Sequence, residues 1–177
     1  MMKKFAKILG VGVLTIGALA ACSETDVKTG GSNNTEGKKT EQTQESKKDD
    51  GKKFNAGITQ EVNGLKINIA EVKITDKQIQ VGLNIENTTQ QKMTFYPDQG
   101  NAIVGDMQLT ANMFSGSGNI SGDVNGGVKM DGVVVYDAPE GKTIDVNKVT
   151  EIRLDMGDVF NDETMDAKNA TIAVPVK

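Results

Sequence analysis

From Phe54 onward the sequence predicts an all-β fold, an antiparallel sandwich. Three observations predict it. Apolar residues recur with period two in several short runs, turn signals separate those runs at short intervals, and no helical period is sustained. Residues 54–177 are enough for one domain, which at this size buries about two-thirds of its unfolded surface.

The segments before that domain read differently. Lys3, Lys4 and Lys7 open the chain, and residues 8–21 carry no charge and end in small residues. This is the layout of a secretory signal, assigned to residues 1–21. A membrane-spanning helix is the competing reading, but the uncharged run covers only ~21 Å at ~1.5 Å per residue. A bilayer core of ~30 Å needs about 20 residues. Leu19-Ala20-Ala21-Cys22 resembles a bacterial lipobox, which implies that the Cys22 sulfur is acylated and that cleavage leaves it as the first residue. An ordinary signal with a chance cysteine is the plain alternative. Two or more acyl chains would make a stable anchor, at ~0.8 kcal/mol per buried methylene.

Residues 22–53 form the expected lipidated cysteine and a disordered tether. The stretch after Cys22 has one aliphatic residue, Val27, and no aromatic before Phe54, too little apolar surface to offset the entropy of ordering. A flexible coil of this length spans on the order of 30 Å.

Within the domain, Leu65, Ile67 and Ile69 alternate with polar residues after Asn63-Gly64, a dipeptide suited to a type I′ hairpin turn. The parity shifts at Ala70-Glu71 and resumes with Val72 and Ile74, as a bulge produces. Beyond a turn at Asp76-Lys77, Ile79, Val81, Leu83 and Ile85 give the cleanest alternation, that of a central strand. A loop at 87–91 leads to a strand from Met93 to Tyr96, broken at Pro97-Asp98. Ala102–Val104 and Met107–Ala111 are strands joined at Gly105-Asp106. Residues 115–127 contain five glycines and predict a long mobile loop. Its Gly116-Ser117-Gly118 lacks the rest of a phosphate-binding motif. Val128 to Tyr136 is a strand region interrupted at Asp131-Gly132, and Asp137 to Gly141 is a turn. Ile152, Leu154 and Met156 mark another strand, Asn161 to Lys168 a short helical turn, and Ile172, Val174 and Val176 the last strand. Pro175 cannot donate to a ladder, so that strand belongs at an edge.

Three stretches together resemble the DUF4352 group: Val81-Gly82-Leu83-Asn84-Ile85-Glu86-Asn87-Thr88, then Met93-Thr94-Phe95-Tyr96-Pro97, then Gly126-Gly127-Val128 leading to Gly132-Val133-Val134-Val135-Tyr136-Asp137-Ala138-Pro139. These are MPT63-related immunoglobulin-like extracellular domains common on lipoproteins of Gram-positive bacteria. Tyr136 stands where such domains commonly carry Phe. The resemblance covers roughly residues 60–176 and implies an antiparallel immunoglobulin-like β-sandwich on the extracytoplasmic face. It supplies no catalytic residue.

Composition narrows the chemistry. Cys22 is the only cysteine and there is no histidine or tryptophan, which removes Ser/His/Asp and Cys/His nucleophilic sites and thiolate or imidazole metal sites. The signal and tether together carry ten lysines and seven acids, leaving ten basic and 17 acidic residues in the domain. An acidic domain is a poor partner for nucleic acid or anionic headgroups, both of which need a basic face. Asp155, Asp158 and Asp162, with Glu163 and Asp166 nearby, crowd one segment and are the candidate cation ligands, for Ca²⁺; the spacing fails the EF-hand pattern. Paired carboxylates for glycoside hydrolysis arise by chance in so acidic a domain. Met93, Met107, Met113, Met130, Met156 and Met165 are expected to fill gaps in the core, as are Phe95, Tyr96 and Tyr136. Phe114 is grouped with these aromatics as a core or strand-pair residue, with the alternative that, beside the glycine-rich loop, it is with Asn119 the exposed contact of a binding loop.

The expectation is a non-enzymatic, cofactor-free lipoprotein on the extracytoplasmic face of the cell membrane. Its sandwich binds an envelope protein or wall component through loops such as 112–127. The alternative is a small-ligand or cation-binding protein using residues 155–166, with a hydrolase behind it.

Overall fold

The computed structural model describes residues 25–31 and 51–177. The signal sequence, Cys22 and residues 32–50 of the predicted tether lie outside the described residues.

Eleven strands follow in order: β1 (Lys52–Val62), β2 (Leu65–Ile74), β3 (Gln78–Asn87), β4 (Met93–Phe95), β5 (Asn101–Val104), β6 (Met107–Ala111), β7 (Ser117–Gly118), β8 (Gly122–Val124), β9 (Lys129–Asp137), β10 (Glu151–Asn161) and β11 (Ala167–Pro175). The ladder runs β1-β2-β3-β9-β6-β5-β10-β4-β8, with β11 added to β10 and β7 to β9. Every pair is antiparallel. The hairpin of β5 and β6 carries the ladder from one layer, β1-β2-β3-β9, to the other, β4, β5, β10 and β11. Their inward side chains form one core. This is the all-β antiparallel sandwich that the period-two patterns predict.

The local signals explain most of it. Asn63 and Gly64 take φ of 48° and 88°, the left-handed pair a type I′ turn requires, and they join β1 to β2. The register of β2 against β3 shifts between Ile69 and Val72, where the parity of the sequence shifts. Ile79, Val81, Leu83 and Ile85 are fully buried on β3, which lies between β2 and β9. Among the described residues β11, with its Pro175, pairs with β10 alone.

Five expectations need correction. The strand β1 precedes the hairpin turn and starts at Lys52, inside the predicted tether; Phe54, Ala56 and Ile58 pack on the core along one of its faces. Residues 115–127 are not one open loop, because β7 pairs with β9 and β8 with β4. The run β9 is uninterrupted, since Gly132 and Val133 take β7 as a partner. Residues 162–164 form a turn without a helix, and the chain re-enters a strand at Ala167. Residues 25–31, predicted as disordered tether, lie on the outer face of β3 and β9.

The last of these has a clear physical cause. Val133 and Val135 point away from the core, opposite to Val134 and Tyr136, and Val27 is buried against them. Gly82 lets the chain approach, because a Cβ there would stand 2.1 Å from the Lys28 carbonyl oxygen. Lys28 N donates to Glu71 at 2.8 Å, and Asp26 N to Gln80 at 2.9 Å. Lys73 Nζ meets the Asp26 carboxylate at 2.9 Å. One valine, inadequate for a core of its own, suffices when the sheet already presents a valine pair.

Candidate functional site

The segment between β6 and β7 is built on Asn112. Its N–H donates to Val135 O at 2.7 Å, and its side-chain amide to Asp137 Oδ2 at 2.6 Å. Its Oδ1 accepts the Phe114 N–H at 3.0 Å, and its carbonyl accepts the Ser115 N–H at 3.1 Å. A turn held by an Asn side chain in this way pushes the next two residues outward. Phe114 is 90% exposed and Met113 53%. Met113 and Phe114 border a groove of about 460 Å³ whose other wall includes Ala138 and Pro139.

On the other side of Met113 lies a smaller groove of about 190 Å³, reaching Asp98, Asn119, Ser121 and Val134. Asp98 Oδ1, Ser121 Oγ and the Tyr136 hydroxyl are buried and have no hydrogen-bond partner in the protein among the described residues. Burial pushes the Tyr136 phenol far above its usual range, and the charges of Asp98 and Asp155 push it the same way. It therefore stays a neutral donor at any physiological pH.

Both predicted contact residues fall in this region. Asn119 is exposed, lines the smaller groove, and is fixed through its N–H to Asp131 O at 3.0 Å. Met113, expected in the core, belongs at the rim instead, because the Asn112 turn projects it. Met165 is likewise exposed, on the β10–β11 turn with φ of 61°. Tyr96 is 45% exposed, whereas Phe95 and Tyr136 are fully buried.

The acidic segment does not assemble the expected cation ligands. Asp155 and Asp158 lie on β10, with a register shift between them against β11, and at ~3.3 Å per residue they are spread over roughly 10 Å. Asp155 accepts from Asn169 at 3.1 Å. Asp162 sits beyond the strand end and is engaged by Lys92 at 2.8 Å and by the Thr94 hydroxyl at 3.1 Å. Lys92 also reaches Asp123 at 3.1 Å. The hydrogen bonds that Lys92 donates to Asp162 and Asp123 raise its ammonium above its ordinary value, and Lys92 in turn lowers Asp123. A lysine already occupies the place a cation would take. Among the described residues no three acidic side chains converge on one point.

Sequence reasoning missed the 25–31 strap. Its signal was the unbroken Val133-Val134-Val135-Tyr136, a run that implies burial on both faces of the strand. Something had to cover the outer valines.

No family model matches the chain, and no curated protein matches it. Two solved structures are similar over 70% of this chain. One is a functionally unknown protein from Listeria monocytogenes EGD-e, with 12% identity, a TM-score of 0.49 and 84% of that chain covered. The other is the yjhA protein from Bacillus subtilis, with 10% identity, a TM-score of 0.45 and 98% of that chain covered.

Proposed function

We propose that this chain is a lipid-anchored, extracytoplasmic, non-enzymatic interaction module, held to the membrane through Cys22 and making contact through the loops around residues 112–121. The observation that carries the reading is the apolar tip. Phe114 is held out by the Asn112 turn at 90% exposure beside a 460 Å³ groove. Burying a phenylalanine stabilises a contact by roughly 1.5–3 kcal/mol, so a turn that holds one in water is arranged for contact. The chemistry of the site supports binding over catalysis. Its buried polar groups include a neutral phenol, a hydroxyl and a carboxylate, and Asp98 Oδ1, Ser121 Oγ and the Tyr136 hydroxyl make no hydrogen bond with one another.

Two experiments test the reading. Fractionation of cells expressing Cys22→Ala is expected to show loss from the envelope; unchanged retention would sink the anchor. A photo-crosslinking residue placed at position 114 in cells is expected to capture a defined contact that the same residue at Lys66, exposed at the start of β2, does not. Equal and diffuse capture at both positions would remove the case for a contact loop.

A further inference from the structure

The strap and the apolar tip are neighbours. Starting from Gly31, beside Asn84 and Asp131, residues 31–25 follow β3 past Gly82 to Gln80 and then cross β9. They end with the Thr25 hydroxyl 2.8 Å from the hydroxyl of Ser117. Ser117 is three residues from Phe114. Thr25 is three residues from Cys22, so at 3.8 Å per Cα step the cysteine lies within ~11 Å of Thr25.

We infer that the Met113–Phe114 tip is a second membrane contact, which inserts into the interfacial layer of the same bilayer that holds Cys22 and fixes the orientation of the sandwich on it. The inference rests on the anchored reading proposed above and names the partner of its contact loop. A docked strap leaves two residues, Ser23 and Glu24, as the leash between Cys22 and Thr25 instead of the 31 residues between Cys22 and Phe54. With Cys22 at the membrane surface, that leash holds the 112–117 turn within reach of the headgroup layer.

The side chains suit that layer. Residues 112–116, Asn-Met-Phe-Ser-Gly, carry no charge, and an exposed aromatic beside a flexible thioether is the kind of apolar edge that enters the boundary between headgroups and acyl chains. The neighbouring turns at this end expose Lys77 and Lys142, each with an acid close in sequence, Asp76 and Glu140. With Asp137 on the groove wall as well, the rim carries no excess of positive charge, and insertion follows from apolar burial without need of anionic lipid. Met165 provides an internal control. It is also exposed, yet it sits on the β10–β11 turn, at the end of the sandwich opposite to Phe114.

The test uses the full acylated chain reconstituted in zwitterionic phosphatidylcholine vesicles. Acylation consumes the only native thiol, so F114C and M165C each add one labelling site for an environment-sensitive fluorophore. The expected result is a blue-shifted emission at position 114 that shallow spin-labelled lipids quench and that added salt leaves unchanged, with a water-like, unquenched emission at position 165. Water-like emission at both positions would overturn the inference. So would a blue shift at 114 that lipid quenchers do not touch, which would mark a protein contact. Mass spectrometry of the N-terminal peptide separates the two failures. An unacylated Cys22 refutes the anchor, whereas an acylated chain with a solvent-exposed position 114 refutes only the membrane-facing tip.

Discussion

At the end of the sandwich that holds the β1–β2 and β10–β11 turns, polar side chains satisfy one another. Asn63 donates to Val159 O and Asp166 O, and Asn161 donates to Gln91 Oε1 while accepting from Glu163 N and Thr164 N. Asn87, fully buried, donates to Gln91 O at 2.7 Å and Val124 O at 2.8 Å, and its oxygen accepts from the Thr89 N–H and hydroxyl. At the other end, Phe114 and Met113 stand in water, and Asp98 Oδ1 and Ser121 Oγ of the adjoining groove, with the Tyr136 hydroxyl, are buried without a protein partner among the described residues. The difference teaches where contact with other molecules belongs. A surface whose polar groups are satisfied within the chain has little to gain from a partner, while an apolar tip beside unsatisfied polar atoms gains from one.

The largest expected effect comes from breaking the satisfied end. Asn87→Ala removes the donor to two carbonyls and the acceptor for Thr89, and each buried group left unsatisfied costs about 1–3 kcal/mol. Urea unfolding of the soluble Cys22→Ser chain should show a loss of about 2–4 kcal/mol. A loss below ~0.5 kcal/mol would mean that water replaces these bonds freely, and the contrast between the ends would disappear.

Next comes the strap, whose docking couples the tip to the anchor. Val27→Asp places a charge against Val133 and Val135 and forfeits about 1.5–3 kcal/mol of apolar burial. Gly82→Val acts from the other side, by setting a side chain where the Lys28 carbonyl lies. Both substitutions should release residues 25–31 to rapid hydrogen exchange while β2, β3 and β10 stay protected. Exchange that remains slow in both would show that the polar contacts of Asp26 and Lys28 alone hold the strap.

The strap also marks the limit of what could be read beforehand. The sandwich was legible because alternation, turn dipeptides and a parity shift are local signals, and β3 carries all of its own evidence in Ile79 to Ile85. Phe114 stood out as an aromatic beside glycines, though not the Asn112 turn that exposes it. The docking of Val27 was illegible, because it depends on residues more than a hundred positions away, and a lone valine among polar residues looks disordered by composition. The acidic segment misled for the same reason. Lys92, Asp123 and Asp162 meet only after β4, β8 and β10 have assembled.

Acid should loosen the strap in a defined direction. The hydrogen bond from Lys73 holds the Asp26 carboxyl below its usual range against a smaller opposing effect of burial, with the charges of Lys73 and Lys53 adding to the lowering. A folded-state value below the unfolded ~3.9 contributes stability that is complete above about pH 4 and fades as pH falls through the folded value. Asp26 is largely exposed, so solvent screening keeps the effect below ~1 kcal/mol. Hydrogen exchange of residues 25–31 should therefore quicken modestly, relative to the sheet, as pH falls below about 4, and Asp26→Asn should flatten that dependence. A strap that tightens in acid would contradict the Lys73 pairing.

The smallest effect on stability is the one that sharpens the contrast most. Phe114→Ser removes a ring that is 90% exposed, and the Asn112 turn beneath it is made by backbone groups and the Asn112 and Asp137 side chains, none of which the substitution touches. The folded state loses almost no packing, so urea unfolding should place the variant within ~0.5 kcal/mol of the parent. A loss above ~1 kcal/mol would mean that Phe114 folds back over its groove in solution and acts as a packing residue. Near-neutral stability with altered membrane or partner contact would separate the two roles in one side chain: Asn87 serves the fold, and Phe114 serves what lies outside it.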